Sequence, residues 1–128
     1  MNETPPTGDS QLKRILVADD EEDILWSVRE TLTPYYEVDV ATSGSEVLQL
    51  WDENSYYALI IDVTFDQGVS GLETASAIRS EDKDIRIIVF SAKGYSDSVR
   101  QKVVNLGAQF IEKPLVLSDV LEKLGWRS

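Results

Sequence analysis

The chain contains no cysteine and no histidine. The first absence excludes disulfides and thiolate metal sites. The second removes imidazole acid–base catalysis, Ser-His-Asp triads and most zinc sites together. Basic residues are scarce too. Twelve lysines and arginines stand against 23 aspartates and glutamates, a formal net charge of −11. That disfavours a nucleic-acid backbone as a direct partner, because neutralising phosphates takes a basic patch. A basic protein partner remains open. No apolar run approaches a membrane span, and the first residues lack the charged-then-apolar order of a signal peptide. A cytoplasmic protein without membrane contact is the expectation. The length of 128 residues suits one domain with a single core.

Four short apolar runs are present, and each ends on a polar residue suited to phosphate chemistry. Ile15-Leu16-Val17-Ala18 runs into Asp19-Asp20, and Ala58-Leu59-Ile60-Ile61 into Asp62. Ile87-Ile88-Val89-Phe90 runs into Ser91, and Phe110-Ile111-Glu112 into Lys113-Pro114. Buried parallel strands read as continuous apolar runs, and open parallel sheets place their sites beyond the carboxyl ends of the strands. Laid side by side, these runs bring carboxylates, a hydroxyl and an ammonium to one patch. Such a patch is an acidic metal pocket with a hydroxyl and a cation placed to hold a phosphoryl group.

The rest of the chain fits that frame. Residues 1–12 are polar, with two prolines and a glycine, and read as a disordered leader. Residues 13–128 read as one domain in which strand and helix patterns alternate. Strands are expected over 14–18, 36–41, 57–62, 85–90 and 110–112. A helix over 22–32 carries Ile24, Leu25, Val28 and Leu32 on one face and is ended by Pro34. The next runs to Glu53 with Val47, Leu48 and Trp51 inward. Later helices end near Ser80, Asn105 and Leu124. They turn Leu72, Ala75 and Ile78, then Val99 and Val103, then Val120, Leu121 and Leu124 inward. Gly107 suits a left-handed helix cap. Five βα units imply a parallel sheet with helices on both faces.

The segments ILVADDEEDI, LIID, GLE, VFSAKG and LGAQFIEKPL, in this order and strand context, resemble the receiver domain of two-component response regulators over residues 13–125. The resemblance implies a flavodoxin-like doubly wound fold with a five-stranded parallel sheet of order 2-1-3-4-5. It makes Asp62 the phosphoacceptor, where the isolated residue reads as a strand-end aspartate capping a loop. It makes Asp19 and Asp20 the acidic pair that holds Mg2+, Asp20 directly and Asp19 through water. Read alone, they belong to a solvated acidic turn with Glu21, Glu22 and Asp23. Magnesium suits a site that offers one or two carboxylates and leaves room for water and phosphate oxygens. Asp62 itself and the backbone carbonyl of Thr64 complete the implied metal shell. Ser91 becomes the switch hydroxyl and Lys113 the ammonium that neutralises a phosphoryl oxygen, with a cis bond to Pro114. Phe110 takes the place of the family's rotating aromatic, or is simply a core phenylalanine.

The implied reaction moves a phosphoryl group to Asp62 from a histidine kinase or a histidine phosphotransfer domain. A downstream protein effector or a fused domain reads the result. Weak homodimer formation stays open, and no separate substrate turnover is expected. Trp26 falls off the apolar stripe of its helix and reads as a half-buried surface residue, with kinase contact as the other reading. Three rivals stand beside the receiver reading: a docking module that is never phosphorylated, an aspartyl phosphatase and a flavin binder. The phosphatase lacks its second aspartate after Asp62-Val63, and the flavin binder lacks a Gly/Ser/Thr-rich loop after the first strand.

The segment after Asp62 departs from the family pattern. Phe65-Asp66 stands where Met-Pro is usual, and Gly71 falls nine residues after Asp62 rather than eight. Gly68 is expected to absorb the extra residue in a turn, and Asp66 to be a solvated loop acid. Lys93, two residues after Ser91, is expected to shield the acyl phosphate from water and slow its loss.

Overall fold

The computed structural model describes residues 12–63, 71–91 and 96–126. Five strands alternate with five helices: β1 (Arg14–Ala18), α1 (Glu22–Leu32), β2 (Glu37–Ala41), α2 (Gly44–Glu53), β3 (Ala58–Asp62), α3 (Gly71–Glu81), β4 (Arg86–Ser91), α4 (Asp97–Asn105), β5 (Gln109–Glu112) and α5 (Leu117–Leu124). The strands form one sheet of order β2-β1-β3-β4-β5, and every pairing is parallel. The expected flavodoxin-like doubly wound fold is therefore present.

The apolar runs of β1, β3 and β4 are continuous because both faces of these strands are covered. Leu16, Leu59, Ile61, Ile87 and Val89 meet α2, α3 and α4 on one face. Ile15, Val17, Ile60, Ile88 and Phe90 meet α1 and α5 on the other. β2 lies at an edge, and its residues before Ala41 are only partly buried or exposed, as its alternating sequence implies. The chain leaves β1 toward β2 and returns past β1 to β3, β4 and β5. This reversal puts α1 and α5 on one face and α2–α4 on the other, as parallel crossovers of one hand require. It also opens a crevice at the carboxyl ends of β1 and β3, where Ala18 pairs with Ile61.

Helix ends follow local chemistry. Ser43 caps α2 by accepting from the Glu46 N–H at 3.1 Å, while Glu46 accepts from the Thr42 N–H at 2.8 Å. α1 stops at Leu32, two residues ahead of Pro34. Gly107 adopts φ +66° just past α4, as expected.

Two expectations need correction. Leu48 does not face the core; it is 40% exposed, and α2 instead turns Val47, Leu50 and Trp51 inward. At about 100° per residue, Val47, Leu50 and Trp51 share one arc of the helix facing the sheet, and Leu48 falls outside that arc. Trp26 is not half-buried but 66% exposed on α1. No helix among the described residues is long and apolar enough to cross a membrane. All but the last residue of the expected leader lies outside the described residues, as do Thr64, Phe65, Asp66, Gly68 and Lys93.

Candidate functional site

Asp19 follows β1 and keeps the sheet's hydrogen bonding for one more residue, its N–H donating to the Ala41 carbonyl at 3.2 Å. Its side chain turns into the crevice and is wholly buried. One carboxylate oxygen, Oδ1, accepts from the Glu21 N–H at 3.0 Å, a local turn that launches α1. The other, Oδ2, accepts from Lys113 Nζ at 3.1 Å. Asp62 ends β3, is 6% exposed, and accepts from the same ammonium at 2.9 Å through Oδ2. Lys113 is held from behind, since its N–H donates to the Ser91 carbonyl at 2.7 Å. Its Nζ lies 5.0 Å from the centroid of the Phe90 ring. The Lys113-Pro114 bond is cis, as expected.

Thus Asp19, Asp62 and Lys113 converge from the ends of three strands. Asp20 is exposed beside them, at the rim. Ser91 is partly buried at the end of β4, paired with Glu112 and one residue past the partner of Asp62. Phe110 is partly buried and packs on the core beneath α2–α4, which accords with its packing role. In the sequence Glu21 is one member of the acidic run that follows Asp19. Its carboxylate lies 3.7 Å from Lys113 Nζ and is 64% exposed. The signal available for it was its place directly after the acidic pair.

Burial, reinforced by the Asp62 charge, raises the Asp19 carboxyl above its ordinary range, although the Glu21 N–H and Lys113 oppose the rise. Burial pulls Lys113 downward, but its bonds to Asp62 and Asp19 outweigh that, and its ammonium is held above the usual value. Among the described residues the site is therefore largely buried and anion-rich, with two carboxylates against one ammonium.

That balance fits a hard divalent cation. Two carboxylates already share a cation through Oδ2, and the chain has no histidine or cysteine to favour a softer metal. Among the described residues, no three carboxylate, histidine or cysteine side chains form a ready-made metal cage. Magnesium does not need one, because it is held by one or two carboxylates and keeps several waters.

Residues 15–125 match the family model of the response regulator receiver domain. The chain belongs to that family. Relatives of this receiver domain include the response regulator MprA of Mycobacterium sp. (strain KMS), 34% identical over 115 residues, covering 87% of this chain and 48% of that protein. The chain thus spans about half the length of the curated relatives it matches. Among solved structures, a CheY-like receiver domain protein from Methanospirillum hungatei JF-1 matches with TM-score 0.83 and 27% identity, over 90% of this chain and 92% of that one. Chemotaxis protein CheY4 of Vibrio cholerae matches with TM-score 0.81 and 26% identity, over 89% and 97%. Receiver domains of two-component systems generally bind Mg2+ and partner histidine kinases. The receiver fold supplies the crevice, and this chain fills it with Asp19, Asp62 and Lys113.

Proposed function

We propose that this receiver domain accepts a phosphoryl group on Asp62 from the phosphohistidine of a histidine kinase or histidine phosphotransfer domain. The observation that carries this reading is the single ammonium of Lys113, bonded to Asp62 at 2.9 Å and Asp19 at 3.1 Å in the crevice at the strand ends. A carboxylate oxygen of Asp62 forms the new O–P bond while the N–P bond of the donor breaks and its imidazole leaves. Lys113 stands where it can transfer a hydrogen bond from the carboxylate to a phosphoryl oxygen. Ser91, anchored through its own carbonyl to the Lys113 N–H, offers its hydroxyl to the same group.

Asp19, Asp20, Asp62 and the carbonyl of Thr64 are the residues that would hold magnesium. Bound there, magnesium offsets the repulsion between Asp62 and the incoming phosphoryl oxygens. Asp19 is preoriented for this by its bond to the Glu21 N–H. Asp20 is exposed at the rim, one residue past Asp19.

The added charge shifts population between two packings of α4, β5 and α5, and so changes affinity for a downstream effector or fused domain. The domain acts in the cytoplasm and promotes its own modification without turning over a separate substrate. Incubation with magnesium and a small phosphodonor, followed by intact mass, tests the reading. One added phosphoryl group, absent in Asp62→Asn, is the expected result. No gain with any donor would leave a receiver that serves only as a docking module.

A further inference from the structure

Gly71 opens α3 directly against the main chain of Asp62. A Cβ at this position would lie 1.7 Å from the Asp62 carbonyl oxygen, 2.8 Å from its carbonyl carbon and 3.3 Å from Ile61 Cγ1. The nearest separation is close to a covalent bond length, and the obstructing atoms are backbone at the end of a buried strand. They cannot rotate aside as a flexible side chain can. Glycine is needed here for the approach of one backbone to another.

Hydrogen bonds hold this seat from two directions. The Val63 N–H donates to the Phe90 carbonyl at 2.8 Å, which ties the residue after Asp62 to the residue before Ser91. The Val63 carbonyl accepts from the Gly71 N–H at 2.7 Å, which ties the same residue to α3. Residues 64–70 leave from Val63 and return at Gly71. The Gly71–Val63 bond thus clamps together the two described residues that flank 64–70. That clamp explains how a segment one residue longer than the family pattern leaves Asp62 in register with Phe90 and within reach of Lys113.

We propose that Gly71 is a positioning residue for the phosphoacceptor. Its missing side chain lets α3 seat on the Asp62–Val63 main chain, and this seat fixes the angle at which the Asp62 carboxylate meets Lys113 and the metal. The inference rests on Asp62 being the phosphoacceptor. Any side chain at Gly71 must push the Asp62 carbonyl away, and displacements of about 1 Å at a reacting group cost on the order of a hundredfold in rate.

The test compares Gly71→Ala with Ala75→Gly. Ala75 is fully buried one turn further along α3, so its loss weakens the same helix without crowding Asp62. Urea denaturation ranks the stabilities, titration gives the magnesium affinity, and intact mass gives the rate of phosphorylation by a small phosphodonor. With all three proteins folded, Gly71→Ala should lose at least about tenfold in rate and bind magnesium more weakly. Ala75→Gly should stay within about twofold on both measures even if it is the less stable variant. Wild-type behaviour in Gly71→Ala, or an equal loss in Ala75→Gly, overturns the proposal. If Gly71→Ala does not fold, hydrogen exchange of the wild type decides. The Gly71 amide must then be protected as long as the β3 amides, and faster exchange overturns the clamp. A wild type that takes no phosphoryl group sinks the phosphoacceptor reading alone. Magnesium affinity in the two variants then judges the seat, and amide exchange judges it if magnesium does not bind.

Discussion

Lys113 reaches from the end of β5 to Asp62 at the end of β3, with 2.9 Å between Nζ and Oδ2. β4 lies between those strands, so the bond crosses the carboxyl edge of the sheet. Both side chains are largely buried, at 13% and 9% exposure, and Asp19 shares the ammonium while wholly buried.

Removing this ammonium leaves two largely buried carboxylates facing each other with no cation between them. Lys113→Met should lower stability by about 2–3 kcal/mol at neutral pH, below the usual loss for a deeply buried pair because the crevice opens to solvent. Saturating magnesium should restore most of the loss, since a divalent cation replaces the missing charge. Urea denaturation with and without magnesium measures both. Equal losses in the two conditions would mean that the metal does not enter between Asp19 and Asp62.

The central strands and the site were legible in sequence for one physical reason. Strands buried on both faces carry uninterrupted apolar side chains, so the ends of Ile15–Ala18, Ala58–Ile61 and Ile87–Phe90 mark the sheet's carboxyl edge. Asp19, Asp62 and Ser91 follow from those ends, and Lys113 from the end of the shorter run Phe110–Glu112. Contacts between distant segments were not legible. Nothing in the residues around Gly71 says that a Cβ there would strike the Asp62 carbonyl. Leu48 and Val47 are equally apolar, and only packing against the sheet separates them. The guanidinium of Arg79 reads as surface charge until α4 is placed beside it.

Arg79 on α3 donates from Nε to the Leu106 carbonyl at 2.7 Å and from Nη2 to the Gly107 carbonyl at 3.4 Å. Both carbonyls lie at the carboxyl end of α4, where a cation also suits the helix dipole. Its Nη1 adds a bond to the Asp82 carbonyl at 3.1 Å. Arg79→Met should cost about 1–3 kcal/mol and loosen α4 specifically. Amide exchange should rise across Lys102–Leu106 more than across α1. A uniform rise over all helices would show that Arg79 supports the fold generally rather than this helix end.

Gly125 ends α5 at φ +79°, and a Cβ there would lie 3.1 Å from Arg86 Nη2 and 3.2 Å from the Tyr57 hydroxyl. That hydroxyl donates to the Leu124 carbonyl at 2.6 Å. Gly125→Ala thus meets both backbone strain and crowding, and should cost about 1–2 kcal/mol. Tyr57→Phe should cost about 1 kcal/mol through the unpaired carbonyl alone. Because both act on one contact, the double variant should lose less than the sum of the two. A strictly additive result in a double-mutant cycle would separate the backbone strain from the hydrogen bond.

Tyr36 gives the fold an alkaline limit. Its ring stacks near Tyr57 at 6.3 Å and meets Trp126 edge-on at 5.8 Å, and the residue is buried. Burial, followed by the Tyr57 charge, pushes its phenol up to about 12, although Arg86 opposes the shift. A phenol whose folded value lies above its unfolded value of about 10 binds its proton more tightly when folded. Its contribution to stability is therefore complete below pH 10 and is lost as the pH rises toward about 12. Across that window the loss amounts to about 2–3 kcal/mol. Tyr56, raised by burial and by its bond to Asp39, adds to the same trend. Tyr36→Phe removes one titrating group, so its stability should fall less steeply than that of the wild type over this range. Denaturation at a series of alkaline pH values measures the two slopes. Identical slopes would mean that the Tyr36 phenol ionises as readily in the folded chain as in the unfolded one.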